Sequence, residues 1–134
     1  MVRKEFTFRG KTMNELLAMD LKEFTKLVNS RARRSLLKGF DNKLMKRIDK
    51  ALQEKKAGKE PKIIRTHRRD SLVIPKMVGL KFGIYNGKEF KIVEITEKML
   101  GHYLGELSMT RGRLMHGKAG IGATKSSTAI TARG

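Results

Sequence analysis

The chain contains no cysteine. Disulfides, thiolate nucleophiles and cysteine-based zinc sites are therefore excluded. Acidic residues are scarce, with 13 Asp and Glu against 31 Lys and Arg. Tryptophan is missing and there are two tyrosines, whereas proteins that read single strands by stacking normally show more aromatic surface. No apolar run approaches the roughly 18 residues of a membrane span. Residues 1–11 have no hydrophobic segment of secretory type, so the expected location is intracellular.

What remains is a small, strongly cationic chain. Its 134 residues suit one domain with a modest core and extensions. A net charge of +18 at pH 7 makes the free chain repel itself and favours a polyanionic partner, nucleic acid or an anionic membrane.

The strongest local signals lie in residues 66–111. Leu80, Phe82 and Ile84 alternate with Lys81, Gly83 and Tyr85, and residues 88–95 are rich in Phe, Ile and Val. Asn86-Gly87 stands between them, the favoured centre of a type I′ turn. The pattern predicts an antiparallel hairpin, with Ile63 and Ile64 in a third short strand. Leu72, Val73 and Ile74 are strand-like but run into Pro75, which makes them an edge or an irregular loop. Thr96 is placed to cap a short helix over 97–104, in which Gly101 and Gly105 are weak points.

The N-terminal third reads as an extended arm at 3–9, then helices. Thr12 and Glu15 have the spacing of a capping box, and Asp20 caps a second helix. Leu21, Phe24, Leu27 and Val28 form one apolar stripe. From Asp41 onward Leu44, Met45, Ile48 and Leu52 share a face, which predicts a helix of about 15 residues ending near Gly58. The expected fold is α+β: a small three-stranded antiparallel sheet with N-terminal helices and a long basic C-terminal extension. The expected division is an arm with short helices at 1–34, a core α/β domain at 35–110 and a basic tail at 111–134.

Residues 111–134 contain no acid, and five of the 24 are glycine. They cannot build a core and are expected to order along a polyanion. Arg111, Arg113, Lys118 and Lys125 are its candidate phosphate contacts. Further candidates are Arg31, Arg33 and Arg34, then Arg65, Arg68, Arg69, Lys76, Lys81 and Lys88 at loop and strand ends, with Asn86 at the hairpin tip. A solvated helix end or a solubilised sheet edge is the bland alternative for these positions.

Enzymatic signals are weak. Gly112 to Lys118 fits G-x-x-x-x-G-K, but Ala119 replaces the magnesium-binding hydroxyl, and neither the preceding strand nor the following helix is present. His67, His102 and His116 lack metal-ligand spacing, and no carboxylate pair is placed as general acid and base. No catalytic residue, metal or cofactor is expected. Glu106 is expected to pair with an arginine.

Four motifs occur in one order: Thr66-His67-Arg68-Arg69, Ile74-Pro75-Lys76-Met77-Val78-Gly79, Tyr85-Asn86-Gly87-Lys88, and Met99 to Glu106 followed by Thr110-Arg111. This series closely resembles the universal small-subunit ribosomal protein family numbered nineteen in the bacterial scheme, whose eukaryotic member is numbered fifteen. The N-terminal helices and the tail from His116 to Ser127 look like its archaeal and eukaryotic branch. The resemblance implies a non-enzymatic component of the cytoplasmic ribosome, in the head of the small subunit. Implied partners are the ribosomal RNA, the head protein numbered thirteen and, through the tail, transfer RNA at the decoding region. Carried over by position, Arg65, His67, Arg68, Arg69, Lys76, Asn86, Lys88, His102, Tyr103 and Arg111 face RNA. A free nucleic-acid-binding or RNA-chaperone protein is the alternative with the same basic surface.

Overall fold

A computed structural model describes residues 5–113 of the chain. The first element is a two-stranded hairpin, β1 (Thr7–Phe8) and β2 (Lys11–Thr12), where a single extended arm is expected. Phe8 pairs with Lys11, so Arg9 and Gly10 form the turn, with φ of +52° and +79°. Positive φ at both central residues is the type I′ requirement. The Phe8 ring stacks 6.0 Å from Phe24, which fastens the hairpin to the helices.

Helix α1 (Met13–Ala18) begins where Thr12 N–H donates to Glu15 Oε2 at 3.1 Å. Helix α2 (Leu21–Leu27) follows, its first N–H donating to Asp20 Oδ1. Helix α3 (Ser30–Leu37) starts at Asn29, whose side chain accepts from Ala32 N–H at 2.8 Å. The open C-terminal carbonyls of α2 need partners, and the Arg33 guanidinium donates to those of Thr25, Lys26 and Val28 at 3.1–3.4 Å. Helix α4 (Asn42–Lys56) is capped by Asp41 and buries Leu44, Ile48 and Ala51. Lys55 and Lys56 stand in its last turn, where cations suit the helix dipole.

The three-stranded sheet has the order β3 (Ile64–Thr66), β4 (Lys81–Tyr85), β5 (Phe90–Glu94). The β4–β5 pair is antiparallel, as expected, but β3–β4 is parallel, so the sheet is mixed. A parallel pair needs a long crossover, and residues 67–80 supply it. That crossover buries Leu72, Val73, Ile74, Pro75 and Met77. The crossover is thereby tied into the core, and the chain re-enters the sheet as β4 running in the same direction as β3.

The hairpin reverses one residue later than a central Asn86-Gly87 requires. Tyr85 pairs with Phe90, leaving residues 86–89 as the connection. Asn86 sits at its entry: its N–H donates to Glu89 O, and its side-chain oxygen accepts from Lys88 and Glu89 N–H at 2.9 Å each. Of these residues only Gly87 has positive φ, +104°. The Asn86 carboxamide caps the turn from outside, so the type I′ expectation fails here. Asn86→Ala removes two acceptor bonds at an exposed tip. It should lower stability by about 1 kcal/mol in a denaturant titration, with the β4–β5 register kept.

The expected helix over 97–104 is also replaced. Glu97–Met99 and Leu104–Leu107 are separate 3-10 turns, and Thr96 makes no side-chain cap bond. Between them the backbone pairs with the crossover. Val73 N–H donates to His102 O, Gly101 N–H to Val73 O, Leu104 N–H to Ser71 O and Gly105 N–H to Arg69 O, at 2.8–3.2 Å. Amides spent on this pairing cannot close helical i→i−4 bonds.

One hydrophobic core joins all of this, from Leu16 and Phe24 through Ile48, Phe82 and Ile84 to Leu104. It draws on both sides of position 34. Among the described residues no buried side-chain nitrogen or oxygen lacks a partner.

Candidate nucleic-acid interface

The core fixes which cations are turned outward. Arg31, Arg34 and Lys38 are exposed on and just after α3, and no acidic side chain among the described residues pairs with them. Across from them stands the crossover. Asn29, Arg31, Lys38, Arg68, Tyr103 and Glu106 are among the residues that line an open groove of about 940 Å³. Arg68 reaches Asp41 at 3.5 Å and Asp70 at 3.9 Å with its side chain 61% exposed, so these pairs are loose and solvated. The groove thus mixes three cations with three carboxylates, Asp41, Asp70 and Glu106.

Other expected contacts stand elsewhere. Lys76 is exposed in the 3-10 turn Pro75–Met77, and Lys88 is exposed at the hairpin tip beside Asn86. Arg111 and Arg113 are exposed. Lys118, Lys125 and the remaining tail expectations lie outside the described residues, as does most of the Gly112 to Lys118 pattern.

Three candidates are tied into the protein itself. Arg69 donates to the carbonyls of Tyr85, Gly105 and Ser108 at 2.6, 2.7 and 2.6 Å. Arg33 closes α2 as described above. Tyr103 shares a hydrogen bond of 3.1 Å with Ser35 and bridges to Leu72. Donors already satisfied by carbonyls have less to offer a phosphate. Glu106 pairs with His102 at 2.6 Å instead of with an arginine. Among the described residues no group of three or more His, Asp and Glu side chains is placed to hold a metal.

Lys81 is bound to Glu60 at 2.8 Å, with both side chains in solvent. The hydrogen bond to Lys81, and then its charge, holds the Glu60 carboxyl below its ordinary value, while the same contact raises Lys81. The depressed carboxyl favours the fold above the ordinary glutamate range, and the contribution fades as pH falls through its lowered midpoint. Exposure keeps the effect on stability slight. Lys81→Ala should move the Glu60 midpoint upward in an NMR carboxylate titration. Added salt should shrink the difference between variant and parent.

An aromatic group of exposed His67 and half-buried Tyr85 and Phe90 is the feature that sequence reading missed. His67 lies 4.5 Å from the Tyr85 ring and 5.1 Å from Phe90, and Tyr85 and Phe90 are 5.2 Å apart. The Arg65 guanidinium stands 5.8 Å from the centre of the Phe90 ring. All four belong to the solvent face of the sheet. The signal lies in the hairpin register, which sets Tyr85 beside Phe90 once the chain reverses at Gly87-Lys88.

No described helix is long and apolar enough to cross a membrane. A family model described as "Ribosomal protein S19" matches residues 34–116. The chain is 47% identical over 128 residues to the small ribosomal subunit protein uS19 of Methanococcus maripaludis strain C7, covering 93% of this chain and 80% of that one. It is 48% identical, with the same coverage, to the uS19 of strain C6. A basic, non-enzymatic α+β unit with this likeness is accounted for in one way: the chain belongs to the ribosomal protein S19 family, structural proteins of the small ribosomal subunit.

Proposed function

We propose that this chain binds ribosomal RNA in the small-subunit head of the cytoplasmic ribosome, beside the head protein numbered thirteen, and that residues 111–134 run toward transfer RNA at the decoding region. The supporting observation is a set of exposed cations, Arg31, Arg34 and Lys38 with Lys76 and Lys88, that have no acidic partner among the described residues, whose buried side-chain nitrogens and oxygens are all hydrogen-bonded. Such groups gain most from phosphate, where counterion release supplies the affinity. Residues 35–110, together with the α3 cations Arg31 and Arg34 at the end of the N-terminal segment, face the RNA, and the tail acts as a cationic strand.

Crosslinking of assembled subunits tests each part. Expected products join the α3 cations and the hairpin tip to ribosomal RNA nucleotides, and residues 111–125 to decoding-region RNA or transfer RNA. A tail that crosslinks only at the back of the head ends the decoding-region assignment. A chain that strips from subunits in a high-salt gradient is a loose nucleic-acid binder instead of a structural component.

A further inference from the structure

We propose that the solvent face of the β3–β4–β5 sheet is a docking platform for an unpaired nucleobase, with its phosphates in the groove alongside. This rests on the RNA-binding reading above and extends it to a surface with a different chemistry. In the register Arg65, Gly83 and Ile92 form one row across the sheet, and Tyr85 and Phe90 lie in the next. His67 joins that second row from the β3 side. Three rings and one guanidinium are therefore held together on a face where Arg65, His67 and Ile92 are exposed and Tyr85 and Phe90 are half-buried.

The group is fixed in place. Tyr85 Oη donates to Gly87 O at 2.8 Å. Gly83 lets the neighbouring side chains close over the strand: a Cβ there would meet the Arg65 stem at 3.2 Å and Phe90 Cβ at 3.5 Å. The Arg65 guanidinium thereby reaches over the Phe90 ring, 5.8 Å from its centre. Planar groups fixed in this way stack on bases with little ordering cost.

Charge selects nucleic acid over an apolar peptide as the occupant. The same face continues into a groove of about 490 Å³ lined by Lys62, Ile63, Arg65, Lys81, Glu60 and Pro61. Three cations to one carboxylate suit a phosphodiester, and Arg65 belongs to both the groove and the ring cluster. A base on the rings thus leaves its phosphate beside Lys62 and Lys81. Ile92, 58% exposed on the same face, extends the apolar surface a base can cover.

Tyr85 and Tyr103 are the only tyrosines and tryptophan is absent, so Tyr103→Phe in the full chain leaves Tyr85 as the sole fluorophore. The probes are a short single-stranded oligoriboadenylate and an abasic oligomer with the same number of phosphates. The base-bearing probe should bind about tenfold more tightly than the abasic one and quench Tyr85. Adding His67→Ala, an exposed position, should erase most of that preference while leaving the circular dichroism spectrum and melting curve in place. Arg65→Gln should weaken both probes. In assembled subunits, ultraviolet crosslinks at Tyr85 should carry a nucleotide.

Equal binding of the two probes with unchanged Tyr85 emission overturns the platform and leaves phosphate-driven RNA binding intact. A crosslink at Tyr85 to a peptide of a neighbouring protein overturns it in favour of a protein contact. No binding of either probe at low salt removes the RNA-binding reading along with it.

Discussion

Arg69→Ala should destabilise the protein by about 3–5 kcal/mol, because it orphans three backbone carbonyls at once. The guanidinium bridges the end of β4, through Tyr85 O, to the carbonyls of Gly105 and Ser108 at either end of the last 3-10 segment. Its own carbonyl accepts from Gly105 N–H. The approach is so close that a Cβ on Gly105 would sit 3.0 Å from Arg69 O. No single lysine ammonium reproduces the planar fork that reaches three acceptors, so Arg69→Lys should recover less than half of the loss. Urea denaturation of both variants measures this. The same experiment decides what Arg69 is for. A phosphate-binding arginine would lose RNA affinity with stability unchanged; a clasp loses stability, and its residual folded fraction binds RNA as before. Parent-like melting in Arg69→Ala would show that the three carbonyls find other donors.

Arg69 also illustrates where sequence reading stops. In the chain it is one arginine in Thr66-His67-Arg68-Arg69, indistinguishable from Arg68 beside it, and only the crossover fold sends one inward and the other into solvent. Local signals succeeded where the deciding physics is local. Asp41, the apolar spacing of Leu44 and Ile48, and Gly58 just past the end delimit α4 almost to the residue. The strands of the hairpin were legible for the same reason. The missing helix over 97–104 was not, because the competing partners of its amides lie about thirty residues earlier in sequence, at 69–73.

The hairpin turn shows how a small miss propagates. A two-residue turn at Asn86-Gly87 would set Tyr85 against Lys88 and Phe90 against Gly83. With the chain reversing at Gly87-Lys88, Tyr85 meets Phe90 instead. That two-residue change in register assembles the ring cluster, and His67 joins it only because β3 runs parallel to β4. Composition alone, with two tyrosines and no tryptophan, pointed to little aromatic surface for stacking on bases. The count was right, but three strands concentrate the few rings in one place.

The affinity of the full chain for ribosomal RNA should fall by about a thousandfold or more between roughly 50 and 200 mM salt, the loss expected for six or more phosphate contacts. The described surface supplies that number. Arg31, Arg34, Lys38, Lys76, Lys88, Arg111 and Arg113 are exposed and have no acidic partner among the described residues. Each contact contributes close to one unit to the slope of log K against log salt, so the slope sorts the arginines by role. Arg31→Ala or Lys88→Ala should lower it by about one unit while melting stays put. Arg33→Ala and Arg69→Ala remove the same formal charge, but their guanidinium groups serve the carbonyls of α2 and of the 3-10 segment, so the slope should stay near the parental value while stability drops. Lys81→Ala should fall between these cases, because Glu60 neutralises that ammonium until a phosphate displaces it. A uniform drop in slope for every substitution would mean that the RNA senses only net charge. The division between outward cations and inward clasps would then have no bearing on binding, however well it describes the fold.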